Sequence, residues 1–167
     1  YLIVTNPSFI EQASRLAELH RENGTTVHVV TTNQIYNEYS SGMLDPTAIR
    51  SFAIMFYDRG ISSPETLPKY LLLFGDGTYD PKNRISNNNN FVPTYQVLNS
   101  ENHISAMVTD DYYGFFDPSE SISPSDLLDI GVGRLLISDN TIAKQQVDKI
   151  EHYLKNGSTI FSSANSH

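Results

Sequence analysis

The sequence predicts an α/β domain with a doubly wound parallel sheet of about four strands. Short apolar or β-branched runs alternate with segments of helical periodicity, which is the pattern of consecutive βαβ units. The most apolar run, at residues 70–74, is continuous rather than alternating. Such a run is typical of a central strand that is covered on both faces.

The first βαβ unit is predicted in residues 1–30. Residues 2–4 form an apolar strand, and the Ser8 to Glu11 spacing has the form of a capping box at the start of a helix. Gly24 supplies the stop for that helix, and the β-branched residues 26–30 form the second strand.

A second helix is predicted after Asp45, with Pro46 in its first turn and Gly60 at its end. The central strand follows at residues 70–74. Residues 78–126 then lose periodicity, which predicts a long connection with short extended segments within 91–97 and 106–116 and a Ser/Pro-rich loop at 119–125.

The last unit begins with a fourth strand at residues 129–134. Ser138 and Asp139 then cap a helix that Gly157 is expected to close. We therefore assign residues 1–157 to the domain and 158–167 to a tail of uncertain structure.

Composition excludes several classes of function. The 167 residues carry a net charge of −8 without a basic cluster, which argues against a nucleic-acid partner. No apolar stretch is long enough for direct membrane insertion, and Tyr1 opens directly on a strand pattern, as in an excised piece or a mature form. The chain has no cysteine, so it contains neither a disulfide nor a cysteine nucleophile.

The acidic residues Asp76, Asp80, Asp110 and Asp111 are the candidate site residues. Asp76 follows the central strand between two glycines, where its side chain can project from the sheet edge. Carboxylates gathered there would suit Ca²⁺, which prefers oxygen ligands. The alternative is that these aspartates cap turns by accepting backbone N–H groups.

Two further features have structural and functional interpretations. Arg134, near the end of the fourth strand, can clamp Asp110 or Asp111 in a bidentate pair or can anchor a substrate. The aromatic cluster at residues 112–116 can pack a loop onto the body or can form a contact surface.

Six motifs follow one another along the chain: YLIVT at 1–5, LLLFGDGTYD at 71–80, VPTYQ at 92–96, TDDYYGFF at 109–116, DIGVGRL at 129–135 and VDKIEHY at 147–153. In this order they resemble the gingipain-like family of cysteine peptidases, and within it the PorU-type sortase peptidases of the type IX secretion system.

The resemblance implies a caspase-like catalytic domain of two side-by-side subdomains, of which this chain matches the first. The family's catalytic histidine, in a His-Gly pair, and its catalytic cysteine belong to the second subdomain. Neither a His-Gly pair nor a cysteine occurs here, so no catalytic residue is assigned. The family also binds structural calcium, which strengthens the calcium interpretation of the four aspartates.

The resulting expectation is a non-catalytic subdomain of a cysteine endopeptidase or transpeptidase, inactive alone and secreted or attached to the outer cell surface. Its partners are the downstream catalytic subdomain and the protein substrate of the parent enzyme. The alternative is a stand-alone α/β binding module whose acidic sheet edge holds a ligand or calcium.

Overall fold

The computed structural model describes residues 1–82, 84–86, 88–97, 107–117, 120 and 126–162. Apart from Glu120, the expected Ser/Pro-rich loop at 119–125 lies outside the described residues, as do residues 163–167 of the expected tail. Within the described ranges, no helix has the length and apolar content needed to span a membrane.

Four parallel strands form the central sheet, in the order β2-β1-β3-β6. They are β1 (Leu2–Thr5), β2 (His28–Thr31), β3 (Tyr70–Phe74) and β6 (Gly131–Leu135). The apolar run at 70–74 lies between β1 and β6, so its predicted central position is confirmed.

Helices cover both faces of the sheet, which confirms the doubly wound α/β class. They are α1 (Ile10–Glu22), α2 (Thr32–Tyr39), α3 (Pro46–Gly60) and α4 (Asn140–Ser162). Alternate residues of each strand point to opposite faces. Leu71 and Leu73 thus pack with α2 and α3, whereas Leu72 and Phe74 pack with α1 and α4.

A small antiparallel ribbon, separate from the sheet, lies in the long connection. It pairs β4 (Tyr95–Gln96) with β5 (Val108–Thr109). These are the short extended segments that the sequence predicted within 91–97 and 106–116.

The predicted start of the first helix was wrong. The Asn6 side chain accepts a hydrogen bond from the Ser8 backbone N–H at 3.0 Å, and Pro7–Phe9 forms a 3-10 turn. Asn6 followed by Pro7 is a stronger helix start than Ser8, because asparagine caps and proline suits the first turn. The α-helix begins at Ile10 without a side-chain cap.

The predicted starts of α3 and α4 are confirmed, whereas the predicted end of α4 is wrong. Asp45 caps α3 by accepting the Thr47 backbone N–H at 2.8 Å, as predicted. Asp139 likewise accepts the N–H groups of Thr141 and Ile142 at the start of α4. The predicted end of α4 at Gly157 was wrong, since the helix continues to Ser162. A glycine inside a helix costs only about 1 kcal/mol relative to alanine.

Arg15 links α1 to α4. Its guanidinium contacts Asp148 at 2.6 Å and also binds Glu151. Hydrogen bonds from Lys144 and Arg15 hold the pKa of Asp148 below its ordinary value, and those from Lys155 and Arg15 do the same for the pKa of Glu151.

We therefore expect an acid-dependent contribution of Arg15 to stability. Because the two pKa values are lower in the folded chain, the stabilisation is present above the ordinary carboxylate pKa of about 4 and is lost as pH falls below it. Across this pH range, the free energy of unfolding of Arg15→Met, measured in urea, should fall less steeply than that of the unsubstituted chain. Arg59→Met, at an exposed arginine, is the control, and parallel declines for Arg15→Met and the parent would contradict the expectation.

Candidate functional site

Arg134 organises the carboxyl edge of the sheet. It is the penultimate residue of β6, opposite Leu73 of β3, and its side chain is only 8% exposed. Nε and Nη2 donate to the two carboxylate oxygens of Asp110, each at 2.7 Å. The predicted bidentate pair is confirmed, with Asp110 as the partner rather than Asp111.

The same guanidinium also donates to three backbone carbonyl oxygens. Nη1 reaches Gly75 at 2.8 Å and Val92 at 2.7 Å, and Nη2 reaches Pro93 at 3.1 Å. These contacts occupy all five N–H donors of arginine. We call the set of Arg134, Asp110 and the carbonyls of Gly75, Val92 and Pro93 the arginine clamp. It joins four segments that are far apart in sequence, at residues 75, 92–93, 110 and 134.

Two glycines permit this close approach. Gly75 has φ +155°, and a Cβ added there would lie 2.9 Å from Val92 Cγ2. A Cβ at Gly77 would lie 2.8 Å from both Thr94 Cγ2 and the Val92 carbonyl oxygen. Both distances are shorter than real Cβ contacts, so the glycines are required by packing.

The crevice between β1 and β3 is filled by residues of the chain itself. The order in which strands are added to the sheet reverses at this point, and α/β folds commonly bind ligands at such a position. The Phe91 and Val92 N–H groups donate to the Asp76 carbonyl oxygen at 2.9 and 3.0 Å. Val92 is fully buried in the core on one face, and the Phe91 ring lies 4.7 Å from that of Phe9 on the other. The segment 91–92 therefore occupies the crevice between β1 and β3 in which such folds usually bind a ligand.

Asp80 stabilises a turn. It is 4% exposed, and its carboxylate accepts hydrogen bonds from the backbone N–H groups of Arg84 and Ile85. Desolvation acts to raise the pKa of Asp80, but the hydrogen bonds from Ile85 and Arg84 outweigh it and lower this pKa below its ordinary value. Asp80 therefore fits the turn-capping interpretation.

The other aspartates have separate positions. Both carboxylate oxygens of Asp110 bind Arg134, Asp76 Oδ1 accepts the Gly77 N–H at 3.0 Å, and Asp111 is exposed in the 3-10 turn Asp111–Gly114. Across the described residues, no three acidic, histidine or cysteine side chains form a group that could hold a metal ion. The four aspartates thus do not form one shared donor set, and calcium binding by fewer of them stays a prediction.

The aromatic cluster supports the packing interpretation. Tyr113 is fully buried, and Phe115 and Phe116 are also buried. The Tyr113 hydroxyl donates to the Pro93 carbonyl oxygen at 2.6 Å, next to the arginine clamp. Burial raises the pKa of Tyr113 far above its ordinary value, so its hydroxyl stays protonated and remains a donor.

Tyr113→Phe should lower the free energy of unfolding by about 1 kcal/mol, the usual net value of one hydrogen bond. The loss is limited because Arg134 still donates to the Pro93 carbonyl. Chemical denaturation can measure it against Tyr79→Phe, a matched change at a side chain that is 67% exposed. Equal stabilities of the two variants would show that the Tyr113 hydroxyl contributes nothing.

Sequence reasoning missed Arg50 and Tyr95. Arg50 Nε donates to the Phe115 carbonyl oxygen at 2.6 Å, and its guanidinium lies 5.2 Å from the centre of the Tyr112 ring. Tyr95 stacks on Tyr112 with ring centres 3.7 Å apart. These contacts span many residues of sequence, and no local motif marks them.

The arginine clamp therefore ties together the loops at the carboxyl edge. The polar groups of the arginine clamp bind one another, and residues 91–92 fill the adjacent crevice. These contacts join segment 91–94 to segment 110–116 at this edge.

Comparison with known proteins identifies the family. The sequence profile of peptidase family C25 matches residues 1–166, and the chain belongs to this family. The gingipain-like resemblance is thereby confirmed.

Among solved structures, the fold is similar to the crystal structure of dimeric latent PorU from Porphyromonas gingivalis. The identity is 34% and the TM-score is 0.73, over 91% of this chain and 15% of the PorU chain. The chain thus spans less than a sixth of the PorU structure that it matches. No protein with a curated description matches it.

Proposed function

We propose that the chain is the first, non-catalytic subdomain of a gingipain-like cysteine endopeptidase or transpeptidase. The observation that carries the proposal is a family C25 match over residues 1–166 in a chain without any cysteine. A cysteine peptidase needs a thiol, and the matched portion is 15% of the PorU chain. The catalytic His/Cys dyad would then lie in a downstream subdomain of the parent protein.

The arginine clamp supports a positioning role in that enzyme. Ligands of parallel α/β sheets gather beyond the carboxyl ends of the strands, and the clamp fixes the loops at this edge. Residues 107–116 would form one wall of the substrate cleft. In the downstream subdomain, the histidine would activate the thiol for attack on the scissile carbonyl. The present chain would keep the wall of the cleft in place.

We also propose that the parent works outside the cytoplasm, secreted or held at the outer cell surface, and processes C-terminal signals in type IX secretion. The similarity to PorU supports this assignment. The partners of the chain are accordingly the downstream catalytic subdomain and a protein substrate.

Peptide hydrolysis tests the proposal. The 167-residue chain should show none with a mixture of internally quenched peptides, whereas the full-length parent should cleave some of them and lose that activity on treatment with iodoacetamide. A full-length parent that cleaves equally well after iodoacetamide treatment would contradict a cysteine mechanism. Hydrolysis by the 167-residue chain alone would contradict the non-catalytic role.

The alternative of a stand-alone binding module has less support from the geometry. Its ligand was expected near Asp76 and Asp110, but Asp110 is bound by Arg134 and the adjacent crevice is plugged. Structural calcium remains part of our proposal for the acidic residues. It predicts a higher thermal midpoint in millimolar Ca²⁺ than in a chelator, with the increase reduced in Asp111→Asn, a change at an exposed aspartate. Equal midpoints for the parent chain in the two solutions would contradict it.

A further inference from the structure

The strand β6 has one edge that no described strand covers. It is the last strand in the sheet order, and it pairs only with β3. The Gly131 N–H donates to the Lys69 carbonyl at 3.0 Å, and the Leu135 carbonyl accepts from Gly75 at 3.1 Å. In a parallel ladder, alternate residues bond to the same neighbour. The backbone N–H and C=O groups of Val132 and Arg134 therefore face the open edge.

This edge lacks the usual protection against pairing. Exposed edge strands commonly carry lysine, proline, a bulge or an inward charge. β6 contains no lysine or proline, and its one inward charge, on Arg134, is paired with Asp110 in the arginine clamp and so does not oppose a strand at the edge. Leu136, directly after the strand, is 68% exposed. An apolar, unguarded edge of this kind is suited to accept another strand.

An apolar groove runs beside the same edge. Gly131 and Gly133 stand opposite Tyr70 and Leu72 in the ladder, and they leave a groove of about 510 Å³. Tyr70 is 60% exposed there. A Cβ added at Gly133 would meet nothing within 4 Å, so no described neighbour requires a glycine at this position. A glycine within a strand often marks the close approach of another segment.

The topology identifies the segment that fits. Along the chain, β3 is added beside β1 and β6 beside β3, always in parallel. The helix α4 follows β6 and packs beside α1 on one face of the sheet. A right-handed crossover through such a helix would place the next parallel strand beside β6.

We propose that the open edge of β6 binds a parallel strand from the part of the parent peptidase that follows α4. An apolar side chain of that part fills the groove over Gly133. The proposal rests on the proposed function, and it makes the sheet continuous between this chain and the catalytic subdomain. The clamp and the docking edge then share Arg134, whose side chain fixes the loops while its backbone pairs with the incoming strand.

Hydrogen–deuterium exchange at single-residue resolution in the full-length parent tests the pairing. The amides of Val132 and Arg134 should be protected on the order of 100-fold or more, like those of Gly131, Gly133 and Leu135. The last three pair with β3 and serve as the internal control. Free exchange of Val132 and Arg134 in a full-length parent that protects the other three would overturn the proposal.

The same measurement on the 167-residue chain distinguishes a strand of the downstream part from a second copy of this chain as the occupant of the β6 edge. If this chain is folded, Val132 and Arg134 should exchange freely while the three control amides stay protected. Protection of Val132 and Arg134 that grows with concentration would instead place a second copy of the chain on β6, and would overturn the proposal. A chain too unstable to protect any of the five leaves the full-length measurement decisive.

Gly133→Leu tests the groove independently. In the full-length parent, the added side chain should lower thiol-dependent peptide hydrolysis by on the order of tenfold and speed the exchange of the Val132 amide. Glu38→Leu, which adds the same side chain to an exposed position of α2, is the matched control. Normal activity and exchange in Gly133→Leu would overturn the groove assignment.

If thiol-dependent activity requires this chain but the Val132 and Arg134 amides exchange freely, the proposed function stands and the proposed strand pairing at β6 fails.

Discussion

Arg134→Leu is expected to lower the free energy of unfolding by about 3–5 kcal/mol, the range found when one partner of a buried ion pair is removed. The leucine would leave the Asp110 carboxylate without its bidentate partner. It would also remove the guanidinium donors from the carbonyls of Gly75, Val92 and Pro93. The loops at the carboxyl edge would lose the group that joins them.

Urea unfolding of the unsubstituted 167-residue chain and of three variants can measure this effect. Arg134→Lys should retain the positive charge but lose the bidentate contact with Asp110. Its stability should therefore lie between that of Arg134→Leu and that of the unsubstituted 167-residue chain. Arg84→Leu is the control, because the Arg84 side chain is 75% exposed and its contact with Asp80 is 3.4 Å long. The control should change stability by less than about 1 kcal/mol. A loss in Arg134→Leu no larger than that of the control would show that the clamp does not stabilise the fold.

Gly77→Ala is expected to cost about 1–3 kcal/mol, the usual range for overpacking. The new Cβ would lie 2.8 Å from the Val92 carbonyl oxygen and 3.2 Å from Arg134 Nη1. Both atoms belong to the clamp and are held by their own hydrogen bonds, so they cannot move aside without loss.

Gly133→Ala provides the matched control for Gly77→Ala. Its added methyl group meets nothing within 4 Å in this chain, so its effect on stability should be within about 0.5 kcal/mol. Thermal or urea unfolding of the two variants measures the difference. In addition, Gly77→Ala and Arg134→Leu should be non-additive when combined, because they disturb the same contacts. Equal stabilities of the two alanine variants would contradict the close packing at Gly77.

The sheet was predictable because its signals are local. Apolar runs mark β1 and β3, and the βαβ alternation indicates parallel pairing. The helix α2 was missed, because its eight residues bury only Thr32, Ile35 and Tyr36 and give too short a pattern. Its start is marked by a capping box between Thr31 and Gln34, which the sequence reasoning did not use.

The site was predictable only in part. The position of Arg134 near the end of a strand indicated Asp110 or Asp111 as its carboxylate partner, and the structure shows Asp110 in that role. The plug at Phe91 and Val92 was not foreseen, because it depends on how a long loop closes over β3. For the same reason, sequence spacing could not separate aspartates that cap turns from aspartates that meet at one point.

We propose that this chain positions a catalytic subdomain, and it contributes no thiol of its own. The most direct test of this proposal is complementation: the 167-residue chain is titrated into the separately purified remainder of the parent, and thiol-dependent hydrolysis is followed. We predict that activity rises to saturation at one chain per remainder, and that iodoacetamide abolishes it when the remainder is treated but not when this chain is. Hydrolysis by this chain alone, or full activity of the remainder without it, would contradict the claim.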